Sequence, residues 1–396
     1  MKQFITILGC LLITTFISGQ SIAINNTGAQ ADSSAILDIS ATNKGILVPR
    51  VHLISVYDTF TIKKPAVSLL VFNTNRTLPR GAGYYTWSGA AWELLMSTGN
   101  VYVKGKNHYT MIVDSIERDY WVHVPRSYDS THPVPLVFMV HGTNGNGEKF
   151  YDNSGWKELG EAEDFISVYP SSLWYRIIHP TDGLVKSGKW NVIPDTDFTL
   201  APGETGADDI KFMRRIVAEM RHKFYIDTTR IYMNGFSNGG QMAAKCAIEM
   251  GDIFAAVVSN AGTFYLRDTT YTPVRKLPVM FQVGNQDYGP GNPGPTIPLV
   301  NFDTLIQDPG LVMNGRFYYY AKNYIRHFGL DSNYTLVGDT NAAMVAFYHS
   351  PTPGDTLNVF RYVFVKDLGH IYPNGDNHWL NAPEKHWAWL RQYRKP

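Results

Sequence analysis

Ser237 has the most chemistry in its surroundings of any residue in the chain. It stands in Gly235-Phe236-Ser237-Asn238-Gly239, after the apolar run Ile231-Tyr232-Met233 and before a stretch from Gln241 to Met250 suited to a helix. A serine hydroxyl is a weak nucleophile until a base takes its proton. A sharp strand-to-helix turn lifts it clear of the backbone, and the flanking glycines remove Cβ atoms that would clash in such a turn. The backbone N–H of Asn238, next in the chain, then points into the site as a donor to a developing oxyanion. Asp287, in Gly284-Asn285-Gln286-Asp287, follows fifty residues later, just past another apolar run; His370, in Gly369-His370-Ile371-Tyr372-Pro373, follows the last one. Imidazole is the side chain best matched to neutral pH as a base, and a carboxylate can hold it in one tautomer and stabilise its protonated form. Ser237, Asp287 and His370 are therefore the candidate catalytic set. The chemistry is acyl transfer through a covalent acyl-serine, which calls for no metal and no cofactor.

A fourth element completes the set. The apolar run Leu136 to Val140 ends in His141-Gly142-Thr143-Asn144-Gly145. A turn of this kind lets backbone amides face the site, and Thr143 N–H with Asn238 N–H are the candidate oxyanion donors. Other titratable residues read as structural: His141 as a strand-end histidine, and Asp208 and Asp209 as acids at a helix start, where they complement the helix dipole. Asp367 lies three residues before His370, too close in sequence to face it easily. Trp190, in Gly188-Lys189-Trp190-Asn191, is a candidate substrate-binding ring for a phenolic group or a sugar, with plain packing as the alternative.

These residues need a scaffold, and the hydrophobic pattern supplies one. Tyr109–Val113 and Asp119–Val124 read as a hairpin. Continuous apolar runs at 135–140, 165–169, 254–258, 278–283 and 359–365 read as strands buried on both faces. Apolar residues at helical spacing (Ile210, Met213, Ile216, Val217, Met220) predict a helix over 208–224, and further helices are expected at 315–327 and 384–393. Strands alternating with helices predict an α/β fold with a doubly wound, mostly parallel sheet. The Ser, Asp, His order and the serine turn are those of an α/β-hydrolase. Two long stretches, 171–204 and 284–312, read as loops over the carboxyl ends of the strands, where such folds bind ligands.

Residues 1–19 read as a signal peptide: Lys2, an apolar run from Phe4 to Ile17, then Ser18 and Gly19. The run is too short to span a membrane. Export to a secreted, periplasmic or cell-surface location follows. Removal of the segment takes Cys10 and leaves Cys246 as a lone, packing cysteine, so no intramolecular disulfide is expected. Residues 20–97 are rich in Asn, Thr, Ser and Gly, with short apolar pieces at 46–48, 68–72, 84–87 and 92–95, and read as a small β-rich module. Their sequence resembles a leader module seen on exported proteins of Bacteroidetes-type bacteria, covering about 22–96. The catalytic domain is 98–396. The formal net charge is +1, which offers no basic field to nucleic acid and no polybasic stretch to a membrane surface. Composition leaves the oligomeric state open.

Residues 105–395 resemble the polyhydroxybutyrate depolymerase and feruloyl esterase group of the α/β-hydrolases. The matching pieces are Arg118 to Pro125, Pro135 to Gly142, Asp208-Asp209-Ile210, Gly235 to Gly240 and Gly369 to Pro373. The resemblance implies an exported serine esterase acting on feruloyl or acetyl esters of plant polysaccharides or on a polyester, polymeric substrates included, with Ser237, Asp287 and His370 as the triad. Tyr372 stands where many relatives have tryptophan, and the bracing disulfide common among them is missing, so the substrate is left open. Two alternatives remain: a prolyl-oligopeptidase-like serine peptidase, and a non-catalytic surface protein that binds glycans.

Overall fold

Residues 134–140 are apolar without a break, and the strand they form is buried along its whole length. A strand covered on both faces has this composition, and the main sheet is built outward from it. The computed structural model describes residues 21–76, 78, 81–95, 102–179, 181–192, 199–263, 272–292 and 294–396. The expected signal peptide lies outside the described residues. The chain forms two compact units, 1–74 with 84–93, and 75–83 with 94–396.

The smaller unit holds short strands: β1 (Ile22–Ile24), β2 (Leu37–Ile39), β3 (Arg50–Val51), β4 (Leu70–Asn73), β5 (Gly83–Trp87) and β6 (Trp92–Leu94). β1 and β2 make a two-stranded parallel sheet, and β3 to β6 a four-stranded one. Tyr85, Trp87 and Trp92 are buried in this unit, whereas Tyr84 is exposed. The strand expected at 46–48 does not form; Ile46 and Leu47 are exposed, with no neighbouring strand to satisfy their backbone.

The larger unit continues with β7 (Gly105–Val113), β8 (Ile116–Val124), β9 (Val134–Val140), α1 (Gly147–Asn153), α2 (Trp156–Glu163), β10 (Ile166–Pro170), β11 (Leu173–His179), β12 (Gly183–Lys189), β13 (Thr199–Leu200), α3 (Asp209–Lys223), β14 (Ile226–Phe236), α4 (Asn238–Glu249), β15 (Ala256–Asn260), β16 (Val279–Gly284), α5 (Phe302–Gln307), α6 (Val312–Phe328), β17 (Tyr334–Asp339), β18 (Ala343–His349), β19 (Val359–Val365) and α7 (Ala382–Leu390). Ten strands form one sheet in the order β17-β18-β19-β16-β15-β14-β9-β10-β8-β7. The six from β10 to β19 run parallel. The antiparallel hairpins β7–β8 and β17–β18 close the two ends.

Helix α3 shows how sequence sets these elements. Its apolar residues at helical spacing are buried, each contributing about 1.5–3 kcal/mol. The Asp208 carboxylate caps the first turn by accepting from Lys211 N at 2.8 Å, and Arg221, His222 and Lys223 complement the dipole in the last. Cys246 is fully buried in α4 among alanines, and burial raises its thiol pKa well above the usual range.

Two stretches differ from expectation. Within 171–204 the described residues include a separate three-stranded sheet where a loop was expected, with β11 paired to β12 and to β13. Alternate burial along β11 carries this strand, a period-2 signal that its length and polar flanks obscure. The hairpin β17–β18 extends the sheet beyond β19, and within 284–312 lies the short helix α5.

Candidate active site

Strand β14 runs into α4 with a single residue between them, Ser237, at φ 56° and ψ −124°. A non-glycine residue at positive φ costs about 1–3 kcal/mol and persists only where its surroundings impose it. Here two close approaches impose it. A Cβ on Gly235 would lie 2.0 Å from Gly239 O, and one on Gly239 would lie 2.3 Å from Val140 O. The helix can therefore start against β14 and β9 only if both positions are glycine.

Asp287 sits just beyond β16 and His370 just beyond β19, adjacent parallel strands. Their loops are joined by the hydrogen bond from Gln286 N to Leu368 O, 3.0 Å. His370 Nδ1 is 2.8 Å from Asp287 Oδ1, and His370 Nε2 is 2.8 Å from Ser237 Oγ. The geometry fits one tautomer: Nδ1–H donates to the carboxylate, and Nε2 accepts from the serine hydroxyl. Asp287 is 4 % exposed, and Oδ1 also accepts from Gly289 N at 3.0 Å. Asp367 is exposed at positive φ. The three expected residues thus converge in one hydrogen-bonded chain.

The expected oxyanion loop lies across the serine. Gly142 packs so closely on Ser237 that a Cβ there would be 3.0 Å from the serine Cβ. His141 is fully buried; its Nδ1 donates to Gly142 O at 2.7 Å and its Nε2 accepts from Ser172 N at 3.0 Å. Asn144 takes positive φ. It clamps the far side, donating N–H to Gly188 O at 2.7 Å and accepting from Gly188 N at 3.0 Å. The amides of Thr143 and Asn238 form no hydrogen bond among the described residues.

Trp190 was a candidate substrate ring with plain packing as the alternative, and its position corrects the first reading in favour of the second. The ring is 0 % exposed. Its Nε1 donates to His141 O at 2.8 Å, and its backbone N donates to Asn238 Oδ1 at 2.7 Å. It thereby holds both arms that carry the candidate donors, and a ring with no free surface presents nothing to a ligand. Trp190→Phe keeps the packing and loses the bond to His141 O. The expected result is a fall in kcat of about tenfold with KM little changed, since oxyanion contacts act on the transition state. Steady-state kinetics check this; a rise in KM alone would return the ring to the substrate.

Asp208 and Asp209 divide their roles. Asp208 caps α3, whereas Asp209 is buried and pairs with Arg118 Nη2 at 2.7 Å while accepting from Asn191 N at 2.7 Å. Burial raises the Asp209 pKa and Arg118 opposes that rise. The pair ties β8 and α3 to the segment carrying Trp190. Sequence reading missed this anchor because a buried ion pair leaves no local pattern.

Beneath the triad lies a second polar layer. Tyr372 Oη accepts from Trp156 Nε1 at 2.8 Å, and Asn234 Nδ2 lies 2.9 Å from His386 Nδ1. Burial lowers the pKa of His386 to about 3 and that of His141 to about 4. From about pH 6.5 down to about 4 the unfolded chain takes up protons on both that the folded chain cannot. Stability is therefore present above pH 6.5 and lost as pH falls through that window, by up to about 1.4 kcal/mol per pH unit for each histidine. The urea midpoint should be lower at pH 4.5 than at pH 7; a flat profile would contradict neutral burial of these rings.

Beside His370 opens a cavity of about 410 Å³, walled by Phe150, Phe236, Tyr372 and Ile371 and by residues at the end of α1. Among the described residues no group of histidine, cysteine and carboxylate side chains could hold a metal ion. None of their helices is long and apolar enough to cross a membrane.

The sheet order, the serine turn and the hydrogen-bonded Ser-His-Asp chain define the class: an α/β-hydrolase. Residues 198–291 match the prolyl oligopeptidase family, and residues 23–107 match a family described as a phage tail like trimerisation region. The chain is 29 % identical over 178 residues to the putative esterase NocK of Nocardia uniformis subsp. tsuyamanensis, covering 44 % of this chain and 43 % of that protein. It is 29 % identical over 150 residues to poly(3-hydroxyalkanoate) depolymerase C of Paucimonas lemoignei, covering 38 % and 32 %. It is 28 % identical over 149 residues to acetylxylan esterase A of Aspergillus ficuum, covering 37 % and 44 %. The matched stretch thus spans less than half the length of each relative.

Proposed function

We propose that the chain is an exported serine carboxylester hydrolase. The observation that carries the reading is the chain of hydrogen bonds from Ser237 Oγ through His370 to Asp287 at a strained strand-to-helix turn. Ser237 Oγ attacks the ester carbonyl carbon as His370 Nε2 takes its proton, and Asp287 stabilises the imidazolium. The oxyanion forms opposite His370, against Thr143 N–H and Asn238 N–H. His370 Nε2–H then protonates the departing alkoxide, leaving acyl-Ser237. Water activated by the same nitrogen attacks the acyl carbon, releases the acid and restores the serine. The matched relatives include a depolymerase and an acetylxylan esterase, which makes acyl esters of plant polysaccharides and polyesters the substrates to test. Fluorophosphonate labelling of Ser237, with turnover of p-nitrophenyl acetate by the same preparation, is the expected result; unlabelled, inactive folded protein would overturn it.

The match of 198–291 to the prolyl oligopeptidase family favours a second reading, a serine peptidase. Such enzymes usually carry a propeller or a cap, and the short strands of the N-terminal unit form no propeller. Cleavage of a proline p-nitroanilide faster than of any ester would establish it.

The N-terminal unit reads as a device that joins copies of the chain. Ile22 pairs with Leu37 and Ile24 with Ile39, so all four side chains share one face of a two-stranded sheet, and all four are exposed. A two-stranded sheet with an uncovered apolar face is marginal alone. The family match at 23–107 points to three copies as the cover. Light scattering on the chain from residue 21 should return three times the monomer mass, and a monomer would reject the idea.

A further inference from the structure

The cavity beside His370 has chemistry of its own. Three aromatic rings form its wall: Phe150 and Phe236 lie 6.3 Å apart and nearly parallel, and Tyr372 is 6.1 Å from Phe236. Two of the amide side chains at its rim, those of Asn374 and Asn377, are already committed. Asn374 Nδ2 donates to Asn153 O at 2.9 Å, and Asn374 Oδ1 accepts from Asp376 N and Asn377 N. Asn377 Nδ2 donates to Tyr372 O at 2.9 Å, and its Oδ1 accepts from Asn374 N. These bonds fix the loop after His370 to the end of α1, so the cavity is preformed. Among the described residues no aspartate, glutamate, lysine or arginine lines it.

One buried polar group there is left over. Ser154, the residue that caps α1, lines the cavity, is 2 % exposed, and its Oγ has no hydrogen-bond partner among the described residues. A buried hydroxyl without a partner is unfavourable, and most buried polar groups are satisfied by something.

The position of the cavity fixes which part of an ester would enter it. His370 lines it, whereas Thr143 and Asn238, the candidate oxyanion donors, do not. A tetrahedral carbon on Ser237 Oγ that turns its oxyanion to those amides must turn its leaving oxygen to His370 Nε2, which protonates it. The group attached to that oxygen then extends into the space His370 borders.

Resting on the hydrolase reading, we propose that this cavity is the leaving-group subsite, and that it takes an uncharged alcohol with an aromatic or other apolar body and one hydrogen-bonding substituent, which Ser154 Oγ meets. A volume of about 410 Å³ is that of a small-molecule pocket; methanol would leave most of it unfilled. A sugar alcohol fits the wall poorly. Its several hydroxyls would face three aromatic rings and the paired amides of Asn374 and Asn377, with only the Asn153 amide to replace the water they lose.

The test holds the acyl group constant as acetyl and varies the alcohol: benzyl acetate, 3-hydroxybenzyl acetate and methyl 6-O-acetylglucopyranoside, read as acetate release. Benzyl acetate should exceed the sugar ester in kcat/KM by about tenfold or more. The ring hydroxyl should add a further factor of about three to ten, the worth of one neutral hydrogen bond. In Ser154→Ala the ratio of 3-hydroxybenzyl to benzyl acetate should fall to about one; because it compares two substrates on one protein, it is insensitive to how much of the variant folds. A sugar ester cleaved as fast as benzyl acetate, or an unchanged ratio in Ser154→Ala, overturns the subsite. If no ester is cleaved and Ser237 is not labelled, the hydrolase reading fails by itself. The cavity is then judged by titrating folded protein with 3-hydroxybenzyl alcohol. Binding weakened three- to tenfold in Ser154→Ala supports it, and no binding to the wild type rejects it.

Discussion

Replacing Ser237 by alanine is expected to lower kcat for p-nitrophenyl acetate by about 10⁴-fold or more, and to abolish fluorophosphonate labelling. The size follows from what remains. Alanine keeps the Cβ that packs on Gly142 and the same strained backbone, so the turn, the loop from His141 to Gly145 and the cavity stay in place. What is lost is the one atom that bonds to the acyl carbon. Catalysis then falls to what oxyanion donors and binding supply to attack by water, about 10³–10⁴ over the uncatalysed reaction where triads have been dismantled. A variant within tenfold of wild type would mean that another group is the nucleophile. The variant also separates chemistry from binding: a folded, inactive protein that still binds 3-hydroxybenzyl alcohol places the cavity and the nucleophile in separate roles.

The parts of this site differ in how legible they are in sequence. The nucleophile is legible because its backbone geometry demands two glycines at fixed offsets, and because unbroken apolar runs mark the strands that lead to Ser237, Asp287 and His370. Each candidate stands at the end of a parallel strand, which is why three residues spread over more than 130 positions meet. What supports them is not legible. Trp190 in the sequence is an aromatic between lysine and asparagine, and nothing local says that its indole N–H will find His141 O, 49 residues away. Arg118 and Asp209 are 91 residues apart and become a buried pair only through the packing of α3 on the sheet. The hairpin β11–β12 was hidden by polar and glycine residues on its exposed side, yet its Gly188 holds Asn144 and so the oxyanion loop. Motif and period reveal what backbone geometry requires, whereas long-range side-chain bonds appear only once the chain is folded.

The acid of the triad gives the second large effect, and here the hydrogen bonds predict a difference between two replacements. One carboxylate oxygen, Asp287 Oδ1, accepts from both His370 Nδ1 and Gly289 N, while Oδ2 has no hydrogen-bond partner among the described residues. An asparagine can keep its carbonyl oxygen where Oδ1 stands and place its NH₂ at the Oδ2 position. The imidazole then retains the tautomer that leaves Nε2 free to accept from Ser237. What disappears is the negative charge that stabilises the imidazolium as it forms. Asp287→Asn should therefore lower kcat by about 10- to 10³-fold. Asp287→Ala loses both the charge and the orienting bond, and should lower kcat by about 10⁴-fold, as removal of a triad acid does. The charge of Arg316, which interacts with Asp287, then loses the carboxylate that offsets it. This further disfavours the imidazolium. Rates of the two variants measured on one ester, with labelling of Ser237 as a check on the nucleophile, decide the matter. If asparagine is as damaging as alanine, the amide has turned its NH₂ toward Nδ1 and imposed the wrong tautomer. If both variants stay within tenfold of wild type, Asp287 is not the acid of the triad.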